Sequence, residues 1–205
     1  LGTEISLADG ESIKFRGVKD TTQTDSDYRK FVMTGSIAAS GDVTSLINNE
    51  GGVLDLVPYG VKFRNMFDGC TSLSSVPVLP SVTLTPGCYI QMFKGCTSLV
   101  QAPSLPSTTL TQGCYIGMFY GCTSLTAAPT LLAPILTQGC YSEMFQGCTL
   151  LHEVHCSAHT NEGVSYATDD WLIGVAATGD IYLPEGYVWT TGGSGIPSGW
   201  TVHTV

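Results

Sequence analysis

The residues best equipped for chemistry gather late in the chain, where His152, Glu153, His155, Cys156 and His159 lie close together. Imidazole and thiolate are the ligands structural zinc prefers, but such sites want four of them in tetrahedral array. The usual paired CxxC or HxxxH elements are missing here, so the stretch reads as an ordinary turn of a terminal cap. Cys156 beside His155 and His159 could be drawn as a thiolate pair, yet sequence neighbours rarely set base against nucleophile, and no third group orients them. No serine sits in a GxSxG strand–turn–helix context. The glycines around Gly192–Gly195 lack the following helix and lysine of a phosphate loop. Asp42, Asp169 and Asp180 could offer oxygens to calcium, but not at EF-hand spacing. The chain therefore reads as no enzyme, with no cofactor and no bound metal.

The elements that would position such groups follow from composition and pattern. The chain has 205 residues, 43% of them hydrophobic and only 12% charged, with a formal net charge of −9. No Lys or Arg follows Lys94, while residues 95–205 carry Glu143, Glu153, Glu162, Asp169, Asp170, Asp180 and Glu185. A basic groove for nucleic acid is excluded on that balance. No run of about 20 apolar residues exists, so no membrane span is expected. The chain begins at Leu1, as expected of a processed or truncated product.

Aligning residues 88–113 with 114–139 gives identity at most positions without a gap, a period of 26 residues. Units starting near 62, 88, 114 and 140 carry it, and a period of that size reads as a solenoid in the leucine-rich range. The resulting fold class is α/β: a short leucine-rich repeat solenoid of 26-residue repeats with non-repeat caps at both ends. Cys88, Met92, Phe93 and Cys96 lie at i, i+4, i+5 and i+8, one face of a two-turn helical or 3₁₀ segment ended by Gly95. Leu99, Ala102 and Leu105 read as a short extended segment stacking on its copies. Equivalent inward positions are Met66, Phe67, Cys70 and Leu73, then Cys114, Met118, Phe119, Cys122 and Leu125, then Cys140, Met144, Phe145 and Cys148.

Positions that vary between units mark the outside. Asp68, Lys94, Tyr120 and Gln146 share one place; Asn65, Gln91, Gly117 and Glu143 another; Ser74, Val100, Thr126 and His152 a third. The candidate binding residues are Asp68, Lys94, Tyr120, Gln146, Gln91 and Glu143. Exposed Tyr120, Tyr89, Tyr115 and Tyr141 could instead stack on sugar rings, although the Tyr89 file follows inward Cys88 directly and is equally able to close the hydrophobic seam. For the cysteines, a helical segment would separate Cys88 from Cys96 by about 12 Å, too far for a disulfide. Packed thiols and bridges such as Cys70 to Cys88 both stay open.

The flanks read as caps. Over 1–61, Ser12–Phe15 and Tyr28–Met33 look like strands, Val43–Ile47 a lead-in and Leu54–Tyr59 a link; the array runs 62–156. In 157–205, Asp169 or Asp170 would N-cap a short helix bearing Trp171, Leu172 and Val175, with strands at Asp180–Leu183 and Trp200–Val205. Trp171, Trp189 and Trp200 are expected to cover the last unit.

The unit CYxxMFxGCTSLxxAPxLPxxTL resembles the leucine-rich repeats of Bacteroides-type cell-surface proteins, a surface adhesin family. The opening DGESIKFRG and FVMTGSIAASGDVTSLI, and the tail GVAATGDIY to TTGGSGIPSGWTV, look similar to that family's ends. The resemblance implies a secreted, exported protein at the cell surface or outer membrane, with a removed amino-terminal lipid anchor as one route. It implies a non-enzymatic binding or adhesion module recognising an unknown surface protein. A carbohydrate-binding module or a structural spacer of a larger surface protein is the alternative.

Overall fold

The computed structural model describes residues 8, 11, 31, 33, 35, 37–44 and 63–205. Expected features at 12–15, 28–30, 32, 45–47 and 54–59 lie outside the described residues, and Phe31 and Met33, expected in a strand, are in none.

The described chain is all-β, and it corrects the α/β reading: no helix occurs among these residues. Among the described residues there are two parallel sheets. One pairs β1 (Ile37–Ala38) with β2 (Leu73–Ser75); the other has order β3 (Glu153–His155), β4 (Gly179–Leu183), β5 (Trp200–Thr204). The leucine-rich repeat solenoid is therefore overturned, since neither its helical side nor a strand in every unit exists.

Consecutive turns take the helix's place, and the glycines explain why. Cys88, Met92 and Cys96 each donate their N–H to the carbonyl three residues back, of Thr85, Tyr89 and Phe93. The third residue of each turn has positive φ: Gly87 at 67°, Gln91 at 52° and Gly95 at 69°. That is the type II requirement, and Pro86–Gly87 supplies its preferred pair. A left-handed residue every fourth position forbids an α-helix. A four-residue turn period nevertheless imitates a 3.6-residue one in the sequence.

N–H groups not used within turns reach the neighbouring layer. Tyr89, Gln91, Phe93 and Gly95 donate to the carbonyls of Cys114, Ile116, Met118 and Tyr120, and the equivalent bonds continue through 115–121 and 139–147. Side chains stack in the same columns. Phe67, Phe93, Phe119 and Phe145 are spaced 5.5 to 5.7 Å, and Tyr89, Tyr115 and Tyr141 5.8 to 6.1 Å. Cys88, Met92, Cys96, Leu99 and their counterparts from Cys70 and Leu73 to Cys148 are buried, whereas Met66 is half-buried against the core.

The eight cysteines are buried thiols. Cys96, Cys122 and Cys148 donate S–H to the carbonyls of Phe67, Phe93 and Phe119 at 3.0 to 3.2 Å. Those oxygens already accept the N–H of Cys70, Cys96 and Cys122, so a small sulfur side chain fills the column and meets the second lone pair.

On the opposite side of the middle layers, extended segments form isolated parallel bridges, Gln101 to Ala127, Ala127 to Glu153 and Leu131 to Cys156. Pro103 and Pro129 lack the N–H that would lengthen them. Where His155 replaces proline, a strand forms and pairs with β4 in register Glu153–Asp180, Val154–Ile181 and His155–Tyr182.

The expected helix at Trp171–Val175 is corrected too. Residues 164–174 repeat the turns, with positive φ at Tyr166, Asp170 and Gly174, and receive the N–H groups of Tyr141, Glu143, Phe145 and Gly147. Trp171 lies between Tyr141 and Trp189, and its Nε1–H reaches Gly195 O. Buried Asn161 locks the closing loop: its Nδ2 donates to Thr190 Oγ1, Thr168 Oγ1 and Ser194 O, and its Oδ1 accepts Thr190 N–H.

Candidate functional site

Two surfaces carry diverse polar side chains. The first is the outward face of the turns. Asp68, Lys94, Tyr120 and Gln146 stand in one row, half-buried, each on a backbone tied to its neighbour: Gly69 donates to Lys94 O, Gly95 to Tyr120 O and Gly121 to Gln146 O. The Lys94 ammonium sits 5.1 Å from the Tyr120 ring centroid, so the cation and the ring act together. Asn65, Gln91 and Glu143 form the adjacent row at φ near 54°, where Gly117 stands in the third layer. A side chain at Gly117 would come within 3.1 Å of Gln91 Cγ. The structure thus brings the six candidate binding residues onto one face.

Tyr89, Tyr115 and Tyr141 are buried and stacked, closing the seam instead of presenting a sugar platform. Burial holds the Tyr115 and Tyr141 hydroxyls well above the usual tyrosine range.

The second surface is the outer face and lower corner of the three-stranded sheet. In-register pairing aligns Glu153, Asp180 and Thr201, and beside them His155, Tyr182 and His203. The three rings stack at 4.2 and 4.6 Å. His155 Nε2 lies 3.2 Å from Glu153 Oε1, and His203 Nε2 2.7 Å from Asp180 Oδ1. Each carboxylate fixes one imidazole two residues along or one strand over, which orients the ring without placing a nucleophile before it.

Beneath this column opens a cleft of about 550 Å³ lined by Thr149, Leu150 and His152, by Ala176 and Thr178–Asp180, and by Gly199 and Thr201. His152 Nδ1 meets Leu150 O at 2.8 Å. Only a nitrogen bearing hydrogen can do so, and the neutral ring then has Nε2 as an acceptor. Gly179 is required here, since a Cβ would lie 2.6 Å from His152 O and 2.8 Å from Trp200 Cε2.

The cluster weighed for zinc is dispersed. His155 pairs with Glu153, His159 stacks on Tyr187 at 4.1 Å, His152 bonds its own loop, and Cys156 is buried. Burial pushes the Cys156 thiol up to about 12. Asp42 accepts from Thr44, and Asp169 from Ser194. Among the described residues no three His, Cys, Asp or Glu side chains converge as metal ligands.

The threonines of the cleft and the Asp180–His203 pair escape a reading by motifs. Their signal is the triplet similarity of Glu153-Val-His155, Asp180-Ile-Tyr182 and Thr201-Val-His203, which pattern comparison across strands would have found.

Among the described residues no helix is long and apolar enough to cross a membrane. Compared with protein-family models, curated proteins and solved structures, the chain matches none. The resemblance to Bacteroides-type leucine-rich repeat surface proteins is corrected on both counts, by the helix-free fold and by the lack of any matching family.

Proposed function

We propose that the chain is a non-enzymatic binding module that recognises protein through the turn face. What carries this reading is that one backbone position, fixed by cross-layer hydrogen bonds, bears acid, base, phenol and amide in successive layers at Asp68, Lys94, Tyr120 and Gln146. Side chains on such a ladder lose little backbone entropy on binding, which favours a specific patch. Gln91 and Glu143 extend the contact. The same reading places the module at the cell surface after export, which protease shaving of intact cells tests.

The binding test is a screen over immobilised extracellular proteins by surface plasmon resonance, beside a variant carrying Asp68→Ala, Lys94→Ala, Tyr120→Ala and Gln146→Ala. Saturable capture by the parent chain, lost in the variant at unchanged thermal unfolding, is expected. Undiminished capture by the variant would refute the turn face as the interface.

A further inference from the structure

The cleft at the lower corner of the sheet suits a ligand of definite charge. Among its groups are the Asp180 carboxylate, of which Oδ1 engages His203, and the His152 ring, whose Nε2 accepts in the neutral imidazole when Nδ1 is committed to Leu150 O. The hydroxyls of exposed Thr149, Thr178 and Thr201 can accept as well. The backbones of Asp180 and His152 are tied together, since Asp180 N–H donates to His152 O at 2.8 Å.

No cation of the later chain competes for these acceptors, since Lys and Arg are absent from 95 to 205. An anion would meet the Asp180 carboxylate with no Lys or Arg on the walls to offset it. Leu150, 54% exposed, and Ala176 add an apolar wall of the kind that covers a methylene stem. No aromatic face other than the His152 ring lines the cleft, so the usual stacking platform for a sugar is missing from its walls.

We infer that this cleft is a socket for a protonated amine or guanidinium, the lysine or arginine side chain of a protein partner. The inference rests on the protein-binding reading and names the partner's chemistry: a basic segment whose anchor enters between Leu150, His152 and Asp180. The turn face and the socket are separate contacts, so each can fail alone.

The test is a ¹⁵N NMR titration of the whole chain with the amidated tripeptide Gly-Arg-Gly, with its citrulline counterpart, and with methyl glucoside. Expected are saturable shifts at His152, Gly179, Asp180 and Thr201 with the arginine peptide, at a Kd on the order of 1 mM. Binding should weaken about tenfold with citrulline and about tenfold in Asp180→Asn, which keeps an oxygen to accept from His203. Thr178→Lys, at an exposed position, supplies a resident ammonium and should block the peptide even if the first variant misfolds. Equal shifts from citrulline, shifts from methyl glucoside alone, or no saturable response would each overturn the socket. The turn-face variant should bind the arginine peptide undiminished, so loss of protein capture in that variant and failure of the socket remain distinguishable results.

Discussion

Replacing Phe119 by alanine probes the column on which the layers rest. The ring is fully buried and stacked on Phe93 at 5.7 Å and 11° and on Phe145 at 5.7 Å and 3°. Truncating a buried phenylalanine costs about 3–5 kcal/mol, including the cavity left behind. Each aromatic pair contributes about 0.5–1.5 kcal/mol within that loss. Phe145 stacks on Phe119 alone among the described aromatic rings, so Phe145→Ala forfeits one pair where Phe119→Ala forfeits two. The expected order is Phe119→Ala more damaging than Phe145→Ala by about 1 kcal/mol. Urea unfolding by far-UV circular dichroism measures both as shifts in midpoint at constant slope. A loss below about 1.5 kcal/mol for Phe119→Ala, well under the usual cost of a buried ring, would show that the column is not what binds the layers.

The thiols predict an alkaline limit to stability. Burial, with repulsion from neighbouring Cys70 at Cys96, raises Cys96 from 9.0 to about 12, and burial raises Cys148 to the same value. Because the folded values lie above the unfolded one, the protonated thiols contribute fully below pH 9 and the contribution is lost as pH climbs toward 12. Unfolding midpoints should fall through that window, and native iodoacetamide labelling followed by mass spectrometry should find the eight cysteines protected until the chain unfolds; rapid native labelling would contradict the packing. Asn161→Ala removes the Thr190 and Ser194 contacts and leaves their polar groups unmatched, at a cost of about 2–3 kcal/mol. Limited proteolysis should then cut within 190–196 before any inner layer, and an unchanged cleavage pattern would exclude Asn161 as the lock of that loop.

How much of this is legible in the sequence differs from element to element. Strands near Asp180–Leu183 and Trp200–Val205 show plainly, because alternating apolar residues are free of proline and glycine there. The turns do not, since Cys88, Met92 and Phe93 carry helix-like spacing and only the φ values of Gly87, Gln91 and Gly95 distinguish turn from helix. Gln91 and Glu143 hide that state further, being residues that rarely adopt positive φ. The same limit misplaces a helix at Trp171, where Tyr166 and Asp170 occupy left-handed conformations without glycine. The cleft is a product of three separated segments, Thr149–His152, 176–180 and Gly199–Thr201, and no local pattern joins them.

The cross-layer backbone bonds of the turn side, from Phe63 to Gly147, all run in one sense. The peptide between Met92 and Phe93 accepts at its oxygen from Phe67 and donates at its nitrogen to Met118 O; the peptide between Met118 and Phe119 continues to Met144 O, and Phe145 to Trp171 O. Peptide dipoles of about 3.5 D therefore add head to tail along the stack, as they do along an α-helix, though the chain runs across it. The positive end lies at the layer 164–174, whose carbonyls at Ala167, Asp169 and Trp171 accept the last bonds of the ladder. Asp169 and Asp170, two of the seven acids that follow Lys94, belong to that layer, so their negative charge falls at the positive end of the stacked peptides.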